Sequence, residues 1–584
     1  MKTLFKFKKM TVALMATLMV GVSCSDEFLE VLPTGSLADA QVGTKDGIEG
    51  LLIGTYAALN GTDGNRFEGP NHWVTGSIMG GDANKGTDAG DYGDINPIQR
   101  YETSATSGDL NQLWQARFEG VSRANAVLAA IAASEELSTS DAAILAGQAR
   151  MLRGHFYFDL TKHFGDVPVF DETLSAVEIV EVPRSSAWAQ IEADFQFAAD
   201  NLPATMSDAG RVNSWAAKAY LAKALLFQGK FGAAIPIFTD VINNGVTTNG
   251  LAYDLLDDYA QIYNAENDNH AEAVMDVESA NNSGSTQNAN WFDDLNYPYN
   301  TGADGPGNCC GFFQPSFSMA NSFRTDATGL PLLDGSYNDP ANALENDFGL
   351  ESADAFTPDA GNLDPRIDHS VGRRGIPYLD WIPHPGKAWI RSQPYAGPYS
   401  PKKYIYYKSQ ENSFTDGSSW TRGYATMNYT IIRFADVLLM AAEAEIEAGS
   451  LPTAMGYVNR VRARAANSDY WVKTEFGNPA APDAANYVIS EYPASQFADQ
   501  ASARTAVRME RKLELSGEGH RFFDLVRWGV AATELNAYLQ YEAQFLQTKF
   551  AGASFTAGKS ELYPIPQAQI DIQGPDILPQ NAGY

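Results

Sequence analysis

At 584 residues, 44% hydrophobic and 19% charged, the chain carries enough apolar side chain to bury a sizeable core and is no disordered polymer. Its 71 acidic against 41 basic residues give a net charge of −30, which argues against a nucleic-acid binder, because phosphate backbones recruit clustered Lys and Arg. Three cysteines, Cys24, Cys309 and Cys310, exclude a disulfide-stapled scaffold and a four-cysteine metal site.

The first thirty residues decide the compartment. Lys2, Lys6, Lys8 and Lys9 precede an apolar run from Thr11 to Val22, the layout of an export signal. The run falls short of the roughly 20 residues a membrane-spanning helix needs. The sequence Gly21-Val22-Ser23-Cys24 resembles a bacterial lipobox, which implies cleavage after residue 23 and a lipid-modified Cys24 as the mature N-terminus; an ordinary secretory signal is the rival reading. Asp26-Glu27 is similar to surface-export signals of Bacteroidetes lipoproteins. Losing residues 1–23, with four lysines and no acid, takes the charge from −30 to −34. The body is expected to be tethered to a membrane by lipid alone.

Helices come next along the chain. Val121, Ala124, Leu128 and Ile131 recur at helical spacing, as do Leu152, Phe156 and Leu160, and Trp215, Ala219, Ala222 and Leu226. Residues 215–242 and 436–464 read as two copies of one unit. Each has an Ala-rich helix, a glycine turn (Gly229, Gly449) and a second helix opening with Ala233 or Ala454, similar to tetratricopeptide helix pairs. Units of this kind stack so that neighbours share a core. Residues 280–425 interrupt the helices with Gly, Pro, Asn, Asp and aromatics and no lasting apolar stripe. An insertion this long is usually functional. Helices resume over 430–530. The expected division is a signal at 1–23, an N-terminal helical part at 24–275 and a C-terminal part at 276–584, the last two forming one unit.

Five motifs fall in order along this frame: "ARMLRGHFYFDLTKHFGDVPVF" (149–170), "GRVNSWAAKAYLAKALLFQGKF" (210–231), "TIIRFADVLLMAAEAEIEAG" (430–449), "ERKLELSGEGHRFFDLVRWG" (510–529) and the terminal "YPIP…QNAGY". Together with the lipobox they resemble the SusD/RagB glycan-uptake lipoproteins of Bacteroidetes. The loop stretch 307–331 looks like one subset of that family. The resemblance implies an all-α fold of tetratricopeptide-like helix pairs forming a superhelical scaffold with loop excursions, no enzymatic activity, and residence on the outer membrane as a surface lipoprotein. It also implies partnership with a SusC-like TonB-dependent transporter that receives captured oligosaccharide. The motif residues themselves read as structural: Glu510, Arg511, Glu514, Arg521 and Asp524 lie at helical spacings that allow ion pairs, with Trp528 packed under them.

Sugar binding needs flat rings for C–H faces and polar groups for hydroxyls. Eight Trp and Tyr residues crowd positions 378–407, among them Trp381, Trp389 and Tyr395, and a second cluster holds Trp291, Phe292, Tyr297, Tyr299, Phe312 and Phe313. Because irregular loops have little core to fill, some of these rings are expected to be exposed; rings packed under their own loops are the rival. Cys309 and Cys310 have each other as oxidation partners in an exported protein. Neighbouring Cα atoms across a trans peptide sit about 3.8 Å apart, below the usual disulfide span. A vicinal disulfide there is expected to form a rigid, strained knob that touches ligand, with two buried thiols as the alternative.

The family resemblance places a ligand-facing loop at 82–94, so Asp82, Asn84 and Asp88 are expected to meet sugar hydroxyls. A partial calcium-loop pattern and a solvated turn are the rivals; the pattern lacks the glycine and glutamate that complete it. Over 366–408 eight cations face two acids, and Arg373, Arg374 or Arg391 is expected to fork onto hydroxyls or a carboxylate unless these cations pair with distant acids. The negative overall charge favours a neutral glycan over an acidic one. Catalytic motifs are missing: no H-E-x-x-H, G-x-S-x-G, Walker or dinucleotide fingerprint, and no i, i+4 pair among seven histidines. A two-carboxylate hydrolase stays open on sequence grounds, and so does a peptide-binding lipoprotein; no resident cofactor is expected.

Overall fold

The computed structural model describes residues 42–584 except 63, 308, 419 and 423; the lipidation position Cys24 lies outside the described residues. Six longer helices fill the N-terminal half: α1 Lys45–Ala57, α2 Gly108–Ala133, α3 Thr139–Phe164, α4 Trp188–Asn201, α5 Ser214–Phe227 and α6 Phe231–Asn244. After the insertion come α7 Phe434–Ala448, α8 Leu451–Ala465, α9 Gln500–Glu514, α10 Arg521–Arg527 and α11 Ala531–Glu542. Their starts are encoded locally. Thr44, Ser107, Ser138, Asn213, Ser450 and Asp499 each accept a hydrogen bond from a backbone N–H of the first turn, which satisfies donors that the helix itself leaves unpaired.

Each helix from α1 to α9 packs on the next in sequence, so the two units recognised in the sequence, α5–α6 and α7–α8, lie side by side through α6 against α7. The apolar stripes point inward: Val121, Ala124, Leu152, Phe156, Leu160, Ala219 and Ala222 are wholly buried. Small residues set the spacing. A Cβ on Gly120 would lie 2.5 Å from Cε2 of Phe156, so α2 and α3 reach their separation because position 120 has no side chain.

The insertion is stitched to this stack by short antiparallel ladders. With strands numbered in chain order as β1 Ala83–Gly86, β2 Ala273–Val277, β3 Phe312–Pro315 and β4 Tyr429–Arg433, β1 pairs with β3 and β2 with β4. Strand β2 straddles the boundary drawn at 275/276, and its pairing with β4 brings the entrance and exit of the insertion together.

Beneath these ladders lies a buried ionic lattice. Arg433 meets Glu518 at 2.7 Å, Glu514 at 2.6 Å and Glu272 at 2.8 Å. Arg366 meets Asp364 at 2.7 Å, Glu510 at 2.6 Å and Glu514 at 2.9 Å. Arg462 joins Glu510, Arg464 joins Glu272 and Glu514, and Lys403 joins Glu518. Five cations thus face five carboxylates with almost no access to water, and Arg511 links Asp436 to Asp524 beside them. The expectation that the 510–524 motif pairs along its own helix is corrected: most partners come from distant segments, because a buried charge requires ligands on every side.

Two outcomes follow. Gly120→Ala is expected to cost about 1–3 kcal/mol through overpacking, read as a lowered Tm without loss of helical circular dichroism. Stability is also expected to peak at mildly acidic pH. Burial pushes the Glu518 carboxyl up, but Arg433 and Lys403 outweigh it and bring it down to about 2 from 4.5; its contribution is complete above pH 4.5 and is lost as pH falls towards 2. Burial raises Asp293, Asp276 and Glu542 to about 7, so stability present in acid is lost as pH rises through 7. A Tm scan from pH 3 to 9 that rises monotonically would contradict this.

Candidate functional site

The aromatic cluster does not line the surface. All eight Trp and Tyr residues of 378–407 are buried. Tyr378, Trp381, Trp389 and Tyr406 join Tyr297 in a hydrophobic core internal to the insertion, with Tyr378 and Trp389 rings 5.4 Å apart and Tyr297 and Tyr406 5.6 Å apart. The expectation of exposed rings here is corrected: a loop region of this length folds on itself and fills its own interior. Trp381 spends its indole N–H on the Tyr406 carbonyl at 3.2 Å, Trp291 donates to the Asn60 carbonyl at 3.0 Å, and Phe312 meets Trp73 edge-on at 6.2 Å. These three rings have no free face for a sugar in this conformation. Tyr395 lies between two ammonium groups, Lys549 at 4.1 Å and Lys85 at 5.3 Å from its ring centre, and donates to Asn96 at 2.7 Å. Burial depresses both lysines, Lys85 to about 8.

The polar candidates divide likewise. Asp82 is buried and accepts from the Gly517 N–H at 3.0 Å; burial raises its carboxyl to about 6. Asn84 is buried in β1, donating to the Ala396 carbonyl at 3.0 Å. Arg373 is locked in a two-pronged pair with Asp368 at 2.6 and 2.7 Å, and Arg374 is spent on the Ser352 and Asp354 carbonyls. With Arg366, Lys402 and Lys403 also committed inside the fold, the cationic stretch proves mostly structural. Asp88 accepts from the Gly90 and Asp91 amides and from Arg391 at 2.9 Å, so residues 82–88 do not converge on one centre as a calcium loop would. Burial pushes the Asp88 carboxyl up, but those amides and Arg391 hold it below the ordinary range. Among the described residues no group of three or more His, Cys, Asp or Glu is arranged to hold a metal ion.

What remains accessible forms one irregular face. Arg391, Asp88 and Asp91 make a partly exposed ion cluster, with Arg391 also donating to Thr87 at 3.1 Å and lying 5.4 Å from the centre of the Tyr299 ring. Cys309 and Cys310 are joined as a disulfide with a cis peptide between them; Cys310 is buried and Cys309 partly exposed. Backbone bonds from Cys310 to Leu295 at 3.2 Å and from Gly311 to Tyr297 at 2.8 Å tie this pair to the next loop. On that loop Asp294 accepts both prongs of Arg66, at 2.6 and 2.7 Å, and the indole N–H of Trp420 at 2.8 Å. Trp420 is 58% exposed. Its ring is thus fixed by one edge while its face stays open to solvent.

Sequence reasoning missed Arg66, Asp294, Trp420 and Asp91. A signal existed for Trp420 alone, a single large ring in the polar stretch "DGSSWTRG" with nothing local to pack on. Tyr407, Tyr470, Trp471 and Phe476 also line a groove of ≈ 280 Å³, in which Phe476 packs on Tyr407 at 5.8 Å. Acrylamide quenching checks the exposure of Trp420: Trp420→Phe is expected to remove most of the readily quenched tryptophan emission, and an unchanged quenching curve would show the ring covered.

Residues 271–584 match the SusD family model and residues 27–226 match one described as "Starch-binding associating with outer membrane"; the chain belongs to the SusD/RagB family. SusD-like protein P2 of Formosa agariphila is 25% identical over 99% of this chain and 100% of its own. A laminarin-binding SusD-like protein superposes with a TM-score of 0.62 at 23% identity, covering 92% of this chain and 99% of that one. Surface glycan-binding protein A of Bacteroides thetaiotaomicron, solved with laminarihexaose, gives 0.65 at 19% identity over 92% and 99%.

Proposed function

We propose that this protein captures neutral oligosaccharide on its loop face and hands it to a SusC-like TonB-dependent transporter, held at the outer membrane by the lipid on Cys24. The observation that carries the reading is Trp420: a ring tethered through its N–H to the Arg66–Asp294 pair, with its π face open. A pyranose presents axial C–H groups to such a face. Arg66 and the partly exposed Arg391, Asp88 and Asp91 retain N–H groups and lone pairs beyond those they spend on each other, enough to meet ring hydroxyls. Arg66–Asp294 is charge-balanced and the Arg391 cluster carries one acid in excess, so no surplus positive charge invites an anionic ligand. The names of the relatives, laminarin-binding and laminarihexaose-bound, support a glycan, and the family description supports outer-membrane association.

The face binds without breaking bonds. Carboxyls held protonated by burial, such as Asp293 and Glu542, each raised to about 7, lie inside the fold and are unavailable as general acids to a ligand on the loops.

Affinity electrophoresis through gels containing laminarin, starch, xylan or pectin tests the reading. At least one neutral polysaccharide is expected to retard the wild-type protein. Trp420→Ala is expected to weaken that binding roughly tenfold, about 1.4 kcal/mol, in the range of one aromatic contact. Tyr395→Phe, altering a ring held between lysines, is expected to leave it unchanged. Equal retardation of wild type and Trp420→Ala would overturn the assignment of the face.

A further inference from the structure

A second feature lies away from the loop face. Helices α9, α10 and α11 and residues 333–337 enclose a cleft of ≈ 240 Å³ lined by Arg508, Lys512, Arg521, Trp528 and Tyr337, with two carboxylates also on its wall, Glu534 and Asp334, the latter accepting from Ser336. Arg508 and Lys512 stand four residues apart on α9, adjacent on one helix face, where like charges repel. Among the described residues neither makes a salt bridge, and Arg521 reaches Glu534 only at 3.8 Å, beyond hydrogen-bond length. The cations rest on rings instead. Arg508 lies 4.9 Å and Arg521 5.9 Å from the Trp528 ring centre, while Lys512 lies 4.6 Å from that of Tyr337 and donates to its hydroxyl at 3.0 Å. The indole N–H of Trp528 is buried with no hydrogen-bond partner among the described residues.

We propose that this cleft binds a single oxyanion group: a carboxylate, sulfate or phosphate. Three positive side chains converge without a carboxylate at hydrogen-bond distance, in a protein whose net charge is −30, while the opposite face of the same helix has Glu510, Arg511 and Glu514 saturated with partners. Burial lowers Arg508, and Glu443 and Glu447, the acids that act on it through space, do not outweigh that burial, the direction expected of a partly desolvated cation without a paired carboxylate. The acids that act on Lys512 through space, Asp82 and Glu542, are buried, raised by that burial to about 6 and about 7, and form no salt bridge with it among the described residues. An oxyanion supplies what the cleft lacks: acceptors for two guanidinium forks, an ammonium and an orphaned indole N–H. The volume leaves room for a sugar-sized carrier as well as for a free ion. The site is independent of the glycan face and stands or falls apart from it.

The test is thermal stability against potassium phosphate, potassium sulfate or potassium glucuronate, each compared with potassium chloride at matched ionic strength. A saturable rise in Tm with at least one of the three is expected for the wild-type protein. It is expected to vanish in Arg508→Gln/Lys512→Gln, whose Tm without added oxyanion rises because the repulsive pair is gone. Trp528→Phe keeps the ring and removes the N–H; it is expected to weaken the effective oxyanion roughly tenfold, the order of one hydrogen bond to a charged group, and it reads the site should the double variant fail to fold. A response to glucuronate identifies a carboxylate-bearing sugar as the ligand type, and a response to phosphate or sulfate alone identifies a tetrahedral oxyanion. Wild-type protein indifferent to all three, or variants that respond in parallel with it, would overturn the proposal.

Discussion

Arg433 is the residue on which the architecture converges. It sits at the end of β4, immediately before α7, and binds Glu272 from the edge of β2, Glu514 from the end of α9 and Glu518 from the following turn. Through the shared carboxylates it is coupled to Arg366, Arg464 and Lys403. Desolvating such charges is expensive, and a lattice of this kind adds little net stability over an apolar core. Removing one member strands its neighbours, which costs about 3–5 kcal/mol. The lattice is therefore a geometric specification: it admits one arrangement of the helical stack against the insertion and penalises every other.

That specification allows a long irregular segment to carry a rigid surface. Residues 278–428 enter and leave at one antiparallel ladder, are pinned midway by the β1–β3 pair, and donate Arg366 and Lys403 into the buried lattice. Between these anchors the segment builds an aromatic interior of its own. The rings in that interior hold the loops, while the few groups left outside, Trp420, Tyr299 and the Arg391–Asp88–Asp91 cluster, are aimed by contacts with loops that are themselves fixed. Rigidity matters for a weak ligand, since each ordered side chain that need not be immobilised on binding leaves more of the contact energy as affinity.

Much of the fold was legible in the chain. Apolar residues three and four apart, small residues at contact positions and Ser, Thr, Asn or Asp at helix starts are local codes, and the structure uses them as such at Ser107, Ser138 and Asn213. The kinship of residues 215–242 with 436–464 was visible, and their juxtaposition through α6 and α7 follows from stacking. The candidate site was far less legible. Of the residues expected at ligand, Asp88, Arg391 and Cys309 reach the accessible face, while Asp82, Asn84, Trp291, Phe312, Arg373, Trp381 and Tyr395 are drawn inside.

The division has a physical origin. Periodicity, capping and motif order are properties of neighbouring residues, so the sequence by itself determined a helical scaffold, the family and the position of the long insertion. Whether a tryptophan in that insertion supports the loops or meets solvent depends on which distant segments arrive against it. Trp381 is covered because the 404–407 segment folds over it, and Trp420 is open because Asp294 and Arg66 hold its edge and leave its face. Those encounters span 25 residues of chain at Trp381 and 126 at Trp420, beyond the reach of helical periodicity, so tertiary structure alone decided them.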